Sequence, residues 1–278
     1  MHVRLWTVAL GVTVGLASAC APVSLPAEGV PVLKEEKEEK VEVQPIASFV
    51  PAVVHTGPPD ERRIALTFDA CPTTSAYDER IARILTETKT PATIFLSGSW
   101  VKRSPGIVRE LGNNPLFELA NHSYTHKHMP RLKRDEQILE ELLKTQAEIY
   151  EVTGKVPTYF RPPFGEFDTR LAALAGKVGL TTIEYDLPSG DPDEYATKAK
   201  VVGWVLKQAR PGSIVVMHIN HKQFPTGDAL PEIIQGLRKR GYELVTVGQL
   251  LNERPPPRCD DPTPVSPLRD AVSSRFAP

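Results

Sequence analysis

Charge in excess of either sign is missing from this chain: 33 Lys and Arg stand against 34 Asp and Glu, a formal net charge of -1. A protein that holds nucleic acid needs a basic excess or a basic stripe, so nucleic acid is not expected among its partners. Cysteine is scarce, at three residues in 278. The longest apolar stretch near the start, Leu5 to Leu16, is too short and too abruptly ended to span a bilayer.

That stretch has another reading. Arg4 supplies a positive flank, Leu5 to Leu16 an apolar centre, and Ala17-Ser18-Ala19 the small residues before Cys20. The pattern resembles a bacterial lipobox, with Ala17 where Leu is commoner, and predicts a signal peptide over residues 1–20 that leaves Cys20 lipidated. An ordinary cleaved signal with an incidental Cys is the alternative. The expected location is the cell envelope, reached by export and held by a lipid anchor. Ala21 carries no Asp-type inner-membrane retention signal, which in a Gram-negative cell favours the outer membrane. Residues 21–60 are rich in Pro, Val, Glu and Lys, including the run Lys34 to Lys40, and read as a solvated tether. Residues 253–278 read as a Pro-rich disordered tail. With Cys20 assigned to lipid, Cys71 and Cys259 are left either to pair or to stay free in an oxidising compartment.

Between residues 61 and 252 seven short, mostly apolar runs recur: 64–68, 92–96, 116–120, 158–160, 181–185, 214–217 and 243–246. They read as buried strands. Helix-length stretches separate most of them; the clearest, Asp135 to Val152, has Ile138, Leu142, Leu143, Ala147 and Tyr150 at helical spacing and Gly154 as its stop. The alternation predicts one parallel α/β domain with its working groups at the carboxyl ends of strands. Periodicity leaves a barrel and an open doubly wound sheet both open.

The residues able to do hydrolytic chemistry follow the runs. His122 and His126 are four apart, a spacing that on one helical turn places both imidazoles on one side, where a divalent metal, zinc before cobalt, can sit. His128 reads as a supporting or surface residue. Asp69 follows the first run directly and can take a proton from an attacking water, although a helix-capping Asp is the ordinary alternative. Arg161 opens Arg161-Pro162-Pro163-Phe164-Gly165, a stiff loop from which it can pair with a carboxylate. His218 ends the sixth run, and Asp191 can hold it as a general acid.

Taken in order, Thr67-Phe68-Asp69, His122 with His126, Arg161 to Gly165, Asp186 to Asp191 and Val216-Met217-His218 resemble the five motifs of the polysaccharide deacetylases, the NodB-homology domain of carbohydrate esterase family 4. The resemblance covers about Glu61 to Asn252 and implies a distorted (β/α)7 barrel. It implies hydrolysis of the acetamide of an N-acetylated glycan: Asp69 as base, His122 and His126 as metal ligands, the Phe164 backbone amide on the oxyanion, and His218 protonating the amine. Arg161 would orient Asp69, and Asp191 would tune His218.

Two departures stand out against that pattern. The family's second Asp, a metal ligand, is replaced by Ala70, so a third ligand must come from elsewhere; Asp69 is the first expectation, with Cys71 and Asp78 as alternatives. Pro192 stands where the family usually has a Trp that walls the acetyl pocket. The expected function is therefore a metal-dependent N-deacetylase of a cell-envelope or exported polysaccharide. A barrel that binds glycan without cleaving it is the alternative. The particular glycan, the metal and the oligomeric state are not legible.

Overall fold

The computed structural model describes residues 53–251. The expected signal peptide, Cys20, residues 21–52 of the expected tether, Cys259 and the C-terminal tail lie outside the described residues.

Elements alternate along the chain: β1 (Val53–Val54), β2 (Arg63–Ala70), α1 (Glu79–Glu87), β3 (Ala92–Leu96), α2 (Gly98–Arg103), α3 (Pro105–Asn113), β4 (Phe117–Asn121), α4 (Asp135–Thr153), β5 (Tyr159–Phe160), α5 (Thr169–Lys177), β6 (Thr181–Ile183), β7 (Leu187–Pro188), α6 (Lys198–Gln208), β8 (Ile214–His218), α7 (Thr226–Lys239), β9 (Glu243–Val245) and α8 (Val247–Leu250). The strands form one sheet in the order β1-β6-β5-β4-β3-β2-β8-β7, with β9 also on β2. Every ladder is parallel. This curled sheet wrapped by helices is the distorted (β/α)7 barrel that the resemblance implies. All seven expected strands are present. Two more are too short to leave a periodic signal. One of them, β1, lies inside the stretch expected as tether, because Val53 and Val54 pair with Thr182 and Ile183.

Strand β2 shows how the sequence divides the two sides of the sheet. Ile64, Leu66, Phe68 and Ala70 join the large cluster shared with the helices, including Leu85, Val205 and Ile233. Ala65 belongs instead to the smaller inner cluster with Phe95, Ala120 and Ile183. Alternate residues of a strand face opposite sides, so the inward parity passes from Ala65 through Thr67 to Asp69 at the strand's end. Each fully buried Leu, Ile or Phe stabilises this layering by about 1.5–3 kcal/mol.

Helix α4 has the anticipated extent and stops at Gly154, whose φ of 67° supplies the left-handed cap. Its buried residues Ile138 and Leu142 pack with Phe160 and Leu174. Among the described residues no helix is long and apolar enough to cross a membrane.

A tight approach locks β8 to the start of the barrel. Gly57 N–H donates to the Gly212 carbonyl at 2.8 Å, and Gly212 N–H donates to the Arg63 carbonyl at 2.9 Å. Gly212 has φ 83°, and a Cβ there would lie 2.5 Å from the Gly57 carbonyl oxygen, a backbone atom that cannot swing aside. Gly212→Ala is expected to destabilise the domain by at least about 1–3 kcal/mol, the cost of a disfavoured backbone conformation alone. Thermal unfolding checks this; an unchanged midpoint would mean that the turn relaxes freely.

Candidate active site

The carboxyl ends of β2, β4, β5 and β8 bring the candidate residues together. Register alone accounts for one contact: Asp69 on β2 is the direct neighbour of His218 on β8. Neighbouring strands lie about 4.8 Å apart, so the candidate base and acid share one rim.

Asp69 is 5% exposed and Arg161 is completely buried. Arg161 Nη1 donates to Asp69 Oδ1 at 2.8 Å and to Thr67 Oγ1 at 2.8 Å. The guanidinium lies 4.0 Å from the Phe95 ring centroid, and its Nε has no hydrogen-bond partner. Burial on its own would raise the Asp69 pKa, but the charges of Arg161 and His218 and the hydrogen bond from Arg161 outweigh it, and the carboxyl titrates below its ordinary value.

His122 takes its orientation from the same arginine. Its Nδ1 donates to the Arg161 carbonyl at 2.8 Å, which leaves the Nε2 lone pair facing the site, 3.7 Å from Asp69 Oδ2. His126 reaches the site by a different route from the one expected. The segment after β4 is a loop, not a helical turn, and it reverses through two left-handed residues, Ser123 (φ 59°) and His126 (φ 60°). Buried Glu141 on α4 holds that loop, accepting from the backbone N–H of Tyr124 at 2.9 Å and of Thr125 at 2.7 Å. The two imidazoles meet edge to face, with centroids 4.9 Å apart. Burial lowers the pKa of both; for His126, with His122 adding to it, the value falls to about 3. Both rings are therefore neutral near pH 7 and have lone pairs available to a metal.

The third residue of this group is Cys71. Donor atoms of Cys71, His122 and His126 all lie within 4.8 Å of one another. Asp78, an alternative from sequence, is turned away: its carboxylate caps α1 and pairs with the Arg80 side chain at 2.7 Å. Asp69, the first expectation for the missing ligand, is not part of this group of three; its Oδ1 pairs with Arg161, and its Oδ2 stands 3.7 Å from His122 Nε2. Two imidazoles and a thiol fit a divalent ion of the zinc type. Burial, and then Asp69 and Asp191, raise the Cys71 pKa, so the free thiol is protonated.

On the other side, His218 Nδ1 faces Asp191 Oδ1 at 3.1 Å. Asp191 also accepts from His218 N–H at 2.8 Å, from Ser189 Oγ at 2.9 Å and from Thr226 Oγ1 at 2.6 Å. Burial by itself would lower the His218 pKa, but the hydrogen bond and charge of Asp191 override it and raise the value. Pro192 is exposed. The ring beside His218 comes instead from Phe224, at 5.6 Å, with His221 stacked on it at 4.5 Å.

Phe164 has a left-handed backbone (φ 63°), as does Gly165 after it (φ 66°). Its ring is 54% exposed and stacks on His128 at 4.1 Å. His128 pairs with Glu166 at 2.8 Å and stays at the surface. Sequence reasoning named Thr67 only as part of a motif and missed Glu141, Asn220, Thr226 and Glu184. Only Asn220 carried a signal, its position two residues beyond His218. Glu184 lies near Arg161, and burial pushes its carboxyl up to about 7.

This fold and site define the polysaccharide deacetylases. The model of the polysaccharide deacetylase family matches residues 56–183. A peptidoglycan-N-acetylglucosamine deacetylase of Bacillus cereus is 31% identical over 197 residues, 70% of this chain and 90% of that protein. The chain belongs to this family. It is also 32% identical to a peptidoglycan-N-acetylglucosamine deacetylase of Listeria monocytogenes over 84% of its length, but spans only 49% of that longer protein. Among solved structures, a CE4 family pseudoenzyme from Bacillus anthracis aligns with TM-score 0.67 at 29% identity, covering 73% of this chain and 70% of that one. The peptidoglycan N-acetylglucosamine deacetylase Bc1960 aligns with TM-score 0.68 at 25% identity, covering 73% of this chain and 94% of that one.

Removing one partner of a buried pair strands the other charge. Arg161→Met is expected to cost about 3–5 kcal/mol at neutral pH. Because the folded pKa of Asp69 is lowered, the stability gained from the pair is present above the unfolded carboxylate pKa and is lost as pH falls through the folded one. Urea unfolding should therefore show the gap between the two proteins narrowing in acid; a gap independent of pH would assign the loss to packing.

Proposed function

We propose that this chain is a metal-dependent N-deacetylase that releases acetate from the N-acetylated amino sugars of a cell-envelope glycan. The observation that carries this reading is the pair Asp69 and His218 on adjacent strand ends, shifted in opposite directions: one toward the ionised base, the other toward the protonated acid.

When bound at His122 and His126, a divalent metal supplies Lewis acidity toward water and the acetamide carbonyl. The remaining work falls to the chain. Arg161 occupies Asp69 Oδ1 and leaves Oδ2 to accept the proton of the attacking water. The amide of Phe164, on its left-handed loop, is assigned to the oxyanion. Asp191 engages His218 at Nδ1, so Nε2 is the atom that delivers a proton to the departing nitrogen as the carbon–nitrogen bond breaks. Collapse gives acetic acid, which keeps the water oxygen, and the amine, which takes the His218 proton; the protons released by Asp69 and by acetic acid pass to solvent, from which His218 and the free amine are reprotonated. Arg161 and Asp191 act here as positioning residues.

In this reading the protein is exported and anchored in the envelope through Cys20, where a peptidoglycan-type substrate lies. A barrel that binds glycan without cleaving it draws support from Ala70 and from the pseudoenzyme of the same fold.

Acetate release from N-acetylglucosamine oligomers and from peptidoglycan, by protein supplied with zinc or cobalt, separates the two. Release is expected, with Asp69→Asn and His218→Ala folded, metal-retaining and at least about 100-fold slower, the usual scale of acid–base catalysis. Binding of a glycan without acetate from any of them would establish the non-hydrolytic barrel. In the same assay, Asp191→Asn should move the alkaline limb of the rate profile to lower pH, because Asp191 raises the His218 pKa. An unmoved limb would remove His218 from the role of acid.

A further inference from the structure

We infer that Cys71 is the third protein ligand of the metal and that Asn220 holds it there, which makes a Cys-His-His site where the family uses a carboxylate. The inference rests on the metal-dependent reading above and specifies its ligand set.

The substitute has to come from another position, because the alanine at 70 has no donor atom. Ala70 shares the parity of Ile64, Leu66 and Phe68 and is buried with them in the cluster facing the helices. Cys71 comes one residue later, where β2 has ended. Its Sγ lies 3.5 Å from His126 Nε2. Around a tetrahedral ion with metal–sulfur near 2.3 Å and metal–nitrogen near 2.05 Å, sulfur and nitrogen stand about 3.5 Å apart. The third vertex, His122 Nε2, is freed for the ion by the Arg161 carbonyl on Nδ1.

A loop cysteine serves as a ligand only if its backbone is held beside the histidines, and Asn220 does this. Fully buried, it grips the Cys71 peptide at both ends: its Oδ1 accepts from Cys71 N–H at 3.1 Å, and its Nδ2 donates to the Cys71 carbonyl at 2.6 Å. Thr73 N–H donates to the same carbonyl at 2.8 Å. Since Asn220 follows the acid-bearing end of β8, this clamp ties the ligand loop to the strand that presents His218. A thiolate carries the same single negative charge as the carboxylate it replaces, so the charge of the donor set is conserved. It is softer, and it turns the preference from manganese and magnesium toward zinc and cobalt. Asp69, not needed as a ligand, remains with Arg161 as a base.

Cobalt(II) reports its ligands directly. Metal-free full-length protein under anaerobic, reducing conditions is titrated with cobalt and followed by absorption. One ion per chain is expected to produce a thiolate-to-cobalt charge-transfer band in the near ultraviolet together with the visible bands of a tetrahedral ion. Cys71→Ser should abolish the charge-transfer band and weaken cobalt binding, whereas Cys20→Ser and Cys259→Ser should retain it. Asn220→Ala should keep the band with affinity reduced about 10–100-fold, the usual effect of removing a group that orients a ligand. Circular dichroism of each variant shows that the fold is retained. Cobalt bound by the parent chain without the band, or equally well by Cys71→Ser, would overturn the assignment and leave the metal-dependent reading standing. A parent chain that binds neither cobalt nor zinc would overturn both.

Discussion

Arg161 carries two demands at once, and most of the site follows from meeting them. Its guanidinium fixes Asp69 by one carboxylate oxygen, and its backbone carbonyl fixes the His122 tautomer by the opposite ring nitrogen. A single buried residue thus sets the direction of the Asp69 carboxylate and of the His122 Nε2 lone pair. Burying an unpaired guanidinium costs several kcal/mol, and Asp69, Thr67 and the faces of Phe95 and Tyr185 offset that cost. Neither Arg161 nor Asp69 can be replaced without leaving a charge in the wall of the barrel. Such a pair is weak support for stability but a strict constraint on geometry.

The parts of this arrangement that the sequence made legible are those written in short-range pattern. The seven strands were legible because parallel strands buried on both faces must be apolar, and α4 because its capping glycine marks its end. Asp69 and His218 were legible because each directly ends a run. The His122 and His126 pair was read correctly as a pair but for the wrong reason. A spacing of four suits a helical turn, whereas here a loop with two left-handed residues does the work, and nothing in the letters of Ser123 or His126 announces that conformation. The contributions of Glu141 and Thr226 were not legible, since each acts on a partner brought near by the barrel's closure, and Asn220 left only its position two residues beyond His218.

The missing family ligand shows the same limit from the other side. From sequence the nearest carboxylate, Asp69, is the natural substitute for the lost Asp. Its commitment to Arg161 is a long-range fact, and so is the capture of Asp78 by Arg80. Cys71 is the residue whose donor atom groups with those of both histidines. In the ligand set inferred above, Ala70 marks a relocation of the ligand, not its deletion. Retention of a complete base and acid, each with its own dedicated partner, is coherent with relocation and costly without it, because a barrel that only binds sugar gains nothing from burying Arg161 and Asp191.

The two carboxylate partners also explain how one rim holds groups of opposite protonation a strand's width apart. Asp69 lies among positive and polarisable neighbours and is drawn toward its ionised form, while His218 is drawn toward its protonated form by Asp191, which is itself saturated by Ser189, Thr226 and a backbone N–H. Saturation matters here: four hydrogen bonds fix the Asp191 carboxylate, and with it the orientation of the His218 ring. Each pair is internally compensated. The charge on Asp69 therefore stabilises protonated His218 as well as being stabilised by it.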